Sequence, residues 1–196
     1  TCTVTGEADA KSRKMIRSFV RRNPDAFVAV VGCYAQLGHG ALADIDGVDL
    51  VIGNTDKLRL LDHIEQAKQA APKVIVDDLP PDDFVLDAFA APGHATRANL
   101  KIQDGCNFMC SYCIVPYARG RSRSRQMDNL LDEARFLVDH GVKEIVLNGI
   151  NLGTYDNEGR GIDEVVNRLN TIPGLRRIRI SSIDVTTIPE ALLAMM

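Results

Sequence analysis

The sequence predicts an α/β protein, in which a truncated doubly wound amino-terminal domain is followed by the first half of a parallel (β/α) barrel. Three observations support this fold class. Residues 27–32 and 48–53 are short, mostly branched apolar runs, which are typical of parallel strands buried on both faces. Stretches in which apolar residues recur at helical spacing lie between such runs. Strands that alternate with helices are the pattern of an α/β fold.

The first predicted domain covers residues 1–76 and is expected to be incomplete at its start. Apolar residues recur at helical spacing over residues 7–22, and an Asn-Pro pair ends that helix. Asn54 or Thr55 is predicted to cap a second helix that continues to residue 68. The predicted strands of this domain are residues 27–32, 48–53 and 73–76.

Residues 77–95 are predicted to be a linker, because they are rich in Asp, Pro, Ala and Gly and lack periodicity. A second domain is predicted over residues 96–196 and is expected to be incomplete at its end. Three βα units in succession indicate the first half of a parallel barrel, whose chemistry lies at the carboxyl ends of the strands. The units combine strands at 99–103, 143–149 and 175–181 with helices at 127–138, at 162–169 and after Pro189, and Gly141 is expected to end the first helix.

Composition excludes several classes of function. The net charge of −3 argues against a wide basic surface, and 5% aromatic residues without Trp argue against an extended base-stacking surface. We find no secretory signal and no apolar run of the roughly 20 residues that a membrane helix needs. We therefore expect a cytoplasmic protein that does not contact a membrane. In such a chain, five cysteines indicate metal ligands or reactive thiols rather than disulfides.

Three of the five cysteines, Cys106, Cys110 and Cys113, are spaced C-x3-C-x2-C. Four thiolates would complete a zinc site or an iron–sulfur cube, whereas three leave one metal position open for another ligand. Gly105 gives the backbone freedom directly before the first thiol. A zinc site completed by a histidine such as His94 is an alternative, although zinc ligands usually come as two separated pairs. Buried structural cysteines are a third interpretation.

The segment CNFMCSYC resembles the signature of radical S-adenosylmethionine (SAM) enzymes. The longer stretch over residues 101–125 resembles the methylthiotransferases, whose motif continues into R-G-x-x-R-S-R. The resemblance implies a radical SAM partial barrel and a [4Fe–4S] cluster whose open iron chelates the amine and carboxylate of SAM. It also implies that the backbone of Tyr112 lies near the adenine. The residues that match the extended motif are Arg119, Gly120, Arg123, Ser124 and Arg125.

The beginning of the chain, TCTVTGEADAKSRKMIR, resembles the amino-terminal domain of the same family. The resemblance implies that three cysteines bind a second [4Fe–4S] cluster there, and Cys2 and Cys33 match two of them. The remaining ligand would lie upstream of Cys2, so the ligand set is incomplete in this chain. Without the resemblance, both cysteines would be interpreted as small apolar residues of a doubly wound core.

The other candidate residues lie in the arginine run and at the ends of predicted strands. Arg119 and Arg123 are predicted to bind either a carboxylate of the cofactor or phosphates of an RNA, and solvated surface is the alternative for both. The other two arginines of residues 119–125 are expected to face water. No side chain is assigned as a catalytic acid, base or nucleophile. By resemblance, the ends of the barrel strands bind SAM, although a glycine-closed turn is the alternative for the asparagines; the candidates are Asn148, Asn151 and Ser181.

The resemblance implies a tRNA-modifying methylthiotransferase. In that family the triplet-bound cluster reduces SAM to a deoxyadenosyl radical that activates a C–H bond, the second cluster supplies sulfur, and another SAM supplies the methyl group. The expected product carries a methylthio group at C2 of N6-threonylcarbamoyladenosine next to the anticodon. The expected partners are tRNA and a reductant such as flavodoxin or ferredoxin.

Several alternatives remain open at this point. The substrate could instead be isopentenyladenosine in tRNA or a ribosomal protein side chain. A chain of a different class, a non-enzymatic zinc-stabilised RNA-binding module, would also contain clustered cysteines and arginines. Because one cluster ligand and the later barrel strands are missing, we expect the 196-residue chain alone to be inactive.

Overall fold

A computed structural model describes residues 1–64, 68, 70–79, 84–86, 89 and 92–195. The chain divides into two compact units. The first unit consists of Thr1–Pro80 with Met109–Gly120, and the second consists of Pro81–Phe108 with Arg121–Met196.

Each unit contains a parallel sheet, which confirms the predicted α/β class. The described residues of the second unit form part of a (β/α) arrangement and no closed barrel. Within the described part of the chain, no helix has both the length and the apolar character to span a bilayer.

The sheet of the first unit has parallel strands that follow one another in chain order. Its strands β1 (Ala29–Val31), β2 (Leu50–Ile52) and β3 (Lys73–Ile75) confirm the three predicted strands. Of its helices, α1 was predicted from its spacing, whereas three helices of five residues each were not. These helices are α1 (Gly6–Arg22), α2 (Cys33–Leu37), α3 (His39–Ala43) and α4 (Val115–Arg119).

The apolar face of α1 explains where that helix packs. Thr5 begins the helix, because its hydroxyl accepts a hydrogen bond from Ala8 N at 3.1 Å. Residues at helical spacing then contact the buried side chains of β1, β2 and α3. The packed set includes Ile16 and Val20 from α1 with Val28, Val30, Leu42 and Val51.

The predicted second helix of this unit is wrong in type and in its cap. The chain forms a 3-10 helix over Lys57–His63, whose backbone leaves helical geometry at Arg59. Asn54 and Thr55 do not cap it, because their side chains donate hydrogen bonds to Ala118 O at 2.5 Å and to Asp78 O at 3.5 Å. The predicted continuation over residues 65–67 lies outside the described residues.

The second unit is built on a parallel sheet in which β4 (Arg97–Lys101), β7 (Glu144–Asn148) and β8 (Arg177–Ile180) lie side by side in that order. A short antiparallel pair, β5 (Gln103–Asp104) and β6 (Arg123–Ser124), follows the end of β4. The three predicted barrel strands are thereby confirmed. The helices of this unit are α5 (Met127–Asp139), α6 (Ile162–Asn170) and α7 (Glu190–Ala194).

One face of this sheet is apolar and packs against α5 and α6. Ile145 and Leu147, alternate residues of β7, and Leu100 of β4 are completely buried, and the partly buried Ala98 lies two residues before Leu100. These residues join the buried stripe of each helix, as period-two and period-3.6 patterns require. Gly141 follows α5 with φ of +96°, as expected of a glycine that ends a helix. The core includes Leu100, Ile145, Leu147, Leu130, Leu137, Val165 and Leu169.

The predicted boundaries at residues 76 and 95 stay predictions. Within the predicted linker, Phe84 N donates to Ser124 O at 3.0 Å, and Leu86 N donates to Asn129 Oδ1 at 2.9 Å. Phe84 and Leu86 therefore belong to the second unit, whereas residues 77–79 belong to the first.

Candidate functional site

The first cysteine of the triplet follows β5 through a tight turn. Gly105 has φ of +70°, which a residue with a side chain adopts only with strain, and its N–H donates to Asp104 Oδ1 at 3.0 Å. Cys106 is 7% exposed. Phe108 N lies 3.4 Å from its sulfur and donates to it. Local backbone geometry thus places an N–H donor beside the Cys106 sulfur.

A buried carboxylate lies two residues before this cysteine. Asp104 Oδ2 accepts a hydrogen bond from Lys101 Nζ at 2.5 Å, and Arg123 Nη2 lies 4.0 Å from the same oxygen. Both cations also lie over the Phe84 ring, at 5.3 and 6.0 Å from its centroid. Arg123 is therefore held by a carboxylate and a ring of its own unit.

The other two cysteines of the triplet belong to the segment Met109–Gly120 of the first unit. Cys113 N donates to Cys110 O at 2.9 Å, which closes a turn between them. Tyr112, inside this turn, is 88% exposed. None of the five cysteines forms a disulfide, so the described thiols are free to bind metal.

Asn54 connects the helix after the triplet with one of the two amino-terminal cysteines. Its amide nitrogen donates to Ala118 O in α4 at 2.5 Å and lies 3.6 Å from Cys33 Sγ. Lys57 Nζ donates to its oxygen at 3.2 Å. Arg119, which ends α4, is half-buried. A single buried amide thus contacts a candidate ligand and holds α4.

Thr1 and Gly32, the residues directly before Cys2 and Cys33, lie in close backbone contact. Thr1 N donates to Val31 O at 2.6 Å. Gly32 has φ of +115°, and a side-chain carbon at this position would lie 2.8 Å from Thr1 O. The two cysteines therefore lie directly after two segments that touch, with Cys33 at the start of α2.

The ends of β7 and β8 carry polar atoms that lack a hydrogen-bond partner among the described residues. Asn151 Oδ1 accepts from Gly153 N at 3.3 Å and from Asp184 N at 3.0 Å. These two N–H groups determine the orientation of the amide, and its nitrogen is buried without a partner. Ser181 Oγ, directly after β8, is in the same condition. Asn148 ends β7 and is half-buried, with its amide 3.4 Å from Val146 O.

The arginine run is not a uniform charged surface. Arg121 is exposed, as expected, but the expectation that Arg125 faces water is wrong, because Arg125 is completely buried. Its guanidinium donates to Asn129 Oδ1 at 2.7 Å and pairs with Glu133, and its backbone carbonyl accepts from Tyr155 OH. Arg125 therefore holds α5 and has no room for RNA or cofactor.

The donors present fit an iron–sulfur cluster and SAM in their chemistry. Three free thiols with spacing suited to one loop leave a metal position open, and the unpartnered atoms of Asn151 and Ser181 suit a polar ligand. Among the described residues, no three His, Cys, Asp or Glu side chains are close enough together to hold a metal ion. The fit thus rests on donor type and on hydrogen bonds to sulfur.

Three residues with clear contacts at this site were not found from the sequence: Gln103, Asp104 and Asn54. A polar pair directly before Gly105 and Cys106, at the end of an apolar strand, was the available signal for the first two. Asn54 lies in a Gly-Asn-Thr stretch that is typical of the start of a helix. Nothing in the sequence therefore indicated that its side chain contacts Cys33.

Comparison with known proteins agrees with this geometry. Residues 100–196 match the family model described as the Radical SAM superfamily, and this range contains the cysteine triplet and the ends of β7 and β8. The chain belongs to the radical SAM superfamily. Residues 1–53, which contain Cys2 and Cys33, match the model described as Uncharacterized protein family UPF0004. Radical SAM methylthiotransferases use [4Fe–4S] clusters and SAM.

Curated relatives of this radical SAM chain are tRNA methylthiolation enzymes. The threonylcarbamoyladenosine tRNA methylthiotransferase MtaB of Bacillus subtilis (strain 168) is 40% identical over 198 residues, or 97% of this chain and 43% of the relative. MtaB of Aquifex aeolicus (strain VF5) is 37% identical over 196 residues, or 98% and 48% of the two chains. The tRNA-2-methylthio-N(6)-dimethylallyladenosine synthase of Cereibacter sphaeroides is 38% identical over 168 residues, or 84% and 38%. The chain spans less than half the length of these relatives.

Proposed function

We propose that the chain is part of a radical SAM enzyme that adds a methylthio group to a nucleoside of tRNA. The observation that carries this proposal is that the turn into Cys106 is hydrogen-bonded, through Gln103, to the segment after β7 that contains Asn151. Among the described residues, the amide nitrogen of Asn151 and the hydroxyl of Ser181 after β8 are buried without a partner. Parallel barrels bind their ligands at the carboxyl ends of their strands. Similarity to methylthiotransferases over 97% of the chain supports the reaction class.

Cys106, Cys110 and Cys113 would hold the [4Fe–4S] cluster through their thiolates. The N–H of Phe108, 3.4 Å from Cys106 Sγ, stabilises negative charge on that sulfur. When bound, the cluster and SAM supply the electron and the radical for cleavage of a C–H bond that is too strong for acid–base groups. The triplet leaves one metal position for SAM, because the chain places no fourth cysteine near these three in sequence.

The residues at the strand ends would bind SAM. The amide nitrogen of Asn151 and the hydroxyl of Ser181 are available for polar atoms of its methionine part. Asn148 ends β7, three residues before Asn151. The Nε–H group of Arg123 has no partner among the described residues. This supports a contact between Arg123 and the carboxylate of SAM. The exposed Tyr112 would offer its backbone to the adenine.

Cys2 and Cys33 would bind the second cluster, whose sulfur is transferred. The contact between Thr1 and Gly32 supports a shared site, because each cysteine is the next residue along the chain. Asn54, with its amide nitrogen 3.6 Å from Cys33 Sγ, would stabilise the thiolate.

The substrate we favour is N6-threonylcarbamoyladenosine next to the tRNA anticodon, modified at C2. Two relatives named for this nucleoside match 97% and 98% of the chain. The partners would be tRNA, with Arg119 as a candidate for phosphate or cofactor contact, and a reductant such as flavodoxin or ferredoxin in the cytoplasm. The dimethylallyladenosine synthase, 38% identical over 84% of the chain, makes that nucleoside the second candidate.

Anaerobic reconstitution of the full-length protein with iron and sulfide tests the proposal. We expect a brown protein whose reduced cluster changes its electron paramagnetic resonance spectrum when SAM is added. Incubation with tRNA that carries either N6-threonylcarbamoyladenosine or dimethylallyladenosine, followed by mass spectrometry of the nucleosides, identifies the substrate. Stoichiometric zinc without iron uptake would instead support the RNA-binding module.

A further inference from the structure

Gln103 is a completely buried polar residue three positions before the first cysteine of the triplet. Its side-chain oxygen accepts hydrogen bonds from Ile150 N at 2.7 Å and from Asn151 N at 3.1 Å. Its amide nitrogen lies close to three further oxygens, which are Gly105 O at 2.8 Å, Ser122 Oγ at 2.9 Å and Asp104 O at 3.0 Å.

The orientation of this amide follows from its partners. Backbone N–H groups can only donate and carbonyl oxygens can only accept, so the oxygen must face Ile150 and Asn151 while the nitrogen faces Asp104 and Gly105. Because the side chain is buried, water cannot replace a lost partner, and an unsatisfied backbone group would remain in the interior.

The residue before the accepted N–H groups is closely packed against the same side chain. A side-chain carbon at position 149 would lie 2.8 Å from Gln103 Oε1 and 2.7 Å from Leu152 Cδ2, which only glycine avoids. The segment after β7, residues 149–151, is therefore in direct contact with Gln103. We call this segment the β7 tip.

We propose that Gln103 is a positioning residue that fixes the β7 tip against the turn leading into Cys106. One end of its amide bonds to the tip that contains Asn151, and the other bonds to Gly105, the residue directly before the cysteine. Gln103 does not touch the reacting atoms. The inference rests on the proposed function. Its consequence is that the distance between Asn151, which would bind SAM, and Cys106, which would bind the cluster, stays constant.

Gln103→Glu is the variant that tests this role. The carboxylate has nearly the same shape, but its second oxygen would face the carbonyls of Asp104 and Gly105 and would repel both. Gln126→Glu is the matched control, since Gln126 is an exposed residue of the same unit. Gln103→Asn, a neutral amide that is shorter by one methylene, replaces the first variant if that variant does not fold.

The first measurement is hydrogen exchange in the full-length protein without cofactors. The amides of Ile150 and Asn151 should exchange at least about tenfold faster in the Gln103 variant than in wild type, because their acceptor is displaced. The control should match wild type. Unchanged exchange at these two amides would overturn the positioning role whether or not the protein is an enzyme.

The second measurement is the dissociation constant of SAM for cluster-loaded protein of equal iron content, taken well below the melting temperature. It should rise by at least about tenfold in the Gln103 variant, in line with residues that orient ligating groups. An unchanged constant would show that Gln103 is merely structural. Wild-type protein that binds neither iron nor SAM would instead overturn the proposed function and leave the hydrogen-exchange result standing.

Discussion

Gly32, directly before α2, allows the first residue of the chain to lie against the backbone at the start of this helix. With φ of +115° and Thr1 O only 2.8 Å from the position of a side-chain carbon, the site accepts no other residue without movement of one of the two segments. Since Cys2 and Cys33 follow these residues directly, the glycine decides how close the two thiols come.

Gly32→Ala is therefore expected to impair the second cluster. The methyl group would displace Thr1 and with it Cys2, so the iron content of reconstituted full-length protein should fall to that of one cluster. Gly40→Ala is the control, because a side-chain carbon at Gly40 in α3 meets nothing within 4 Å. Equal iron content in the two variants would contradict the role of Gly32.

Arg125→Ala is expected to destabilise the second unit strongly. The substitution leaves Glu133 without its ion partner and removes two hydrogen bonds to Asn129, and loss of one member of a buried pair typically costs about 3–5 kcal/mol. Arg121→Ala, at an exposed position, should stay within about 0.5 kcal/mol of wild type. Urea denaturation followed by circular dichroism measures both, and similar unfolding free energies would refute the distinction.

The contrast between these arginines shows where sequence reasoning ends for single residues. Spacing alone does not separate Arg121 from Arg125, because both belong to one alternating run. The partners of Arg125, Asn129 and Glu133, lie one and two helical turns further along, but whether the arginine enters the core depends on packing of α5. The prediction that Cys106, Cys110 and Cys113 bind a cluster, by contrast, depends on local spacing and not on the packing of distant elements.

Glu144, the first residue of β7, joins the three parallel strands of the second unit at one end. Arg97 of β4 and Arg177 and Arg179 of β8 donate to its two oxygens at 2.6 to 3.2 Å. Burial acts to raise the pKa of Glu144, but the hydrogen bond and charge of Arg179 and the nearby Arg97 and Arg177 lower the pKa below its ordinary value of 4.5.

The lowered pKa of Glu144 predicts a pH-dependent stability. A carboxyl group whose pKa is lower in the folded state stabilises the protein fully above its unfolded pKa, and this contribution is lost as the pH falls through the folded pKa. The free energy of unfolding should therefore decline below about pH 4.5, and Glu144→Gln should flatten that decline and destabilise the protein at pH 7. Urea denaturation over this range is the measurement.

Glu164→Gln provides the control for this titration. Glu164 forms one ion pair, with Arg168, on the surface of α6, so its substitution should leave the slope nearly unchanged. A slope that is as steep in Glu144→Gln as in wild type would show that other carboxyl groups dominate the acid response.

At the scale of elements, the strands and long helices were predictable and the short elements were not. β1 and β2 are apolar runs, β7 has three apolar residues at its centre, and α5 has a buried stripe of six residues that repeats at helical spacing. Helices α2, α3 and α4 have five residues each, which is little more than one turn and too short for a periodic signal. The segment Lys57–His63 was predicted to be part of an α-helix capped by Asn54 or Thr55, but it forms a 3-10 helix. Asn54 does not cap it, because its side chain bonds to a residue 64 positions further along the chain.

Across the whole molecule, two motifs far apart in sequence indicated one enzyme family, and family models match both regions. The long-range contacts within each unit could not be predicted from these motifs. Gln103 bonds to residues 47 and 48 positions further along the chain, and no local pattern encodes such a pairing. Motifs thus identify the chemical groups, while the fold determines which side chains support them.

The two cysteine groups are expected to separate the two halves of the reaction in the full-length protein. Cys113→Ser should remove the cluster that binds SAM, and reductive cleavage of SAM and methylthiolation should both be lost. Cys33→Ser should remove only the sulfur-supplying cluster, because the triplet Cys106, Cys110 and Cys113 is intact and lies in a different part of the chain.

Chromatography of deoxyadenosine and mass spectrometry of digested tRNA measure these two outcomes in the same sample. Cys33→Ser should form deoxyadenosine without any methylthio nucleoside, and Cys113→Ser should form neither product. Ser12→Ala, whose hydroxyl donates to the Cys2 carbonyl at 3.5 Å, is a nearby control that should retain both activities. Methylthio product from Cys33→Ser would exclude Cys33 as a ligand of the sulfur-supplying cluster. Deoxyadenosine from Cys113→Ser would show that the triplet does not hold the cluster that cleaves SAM.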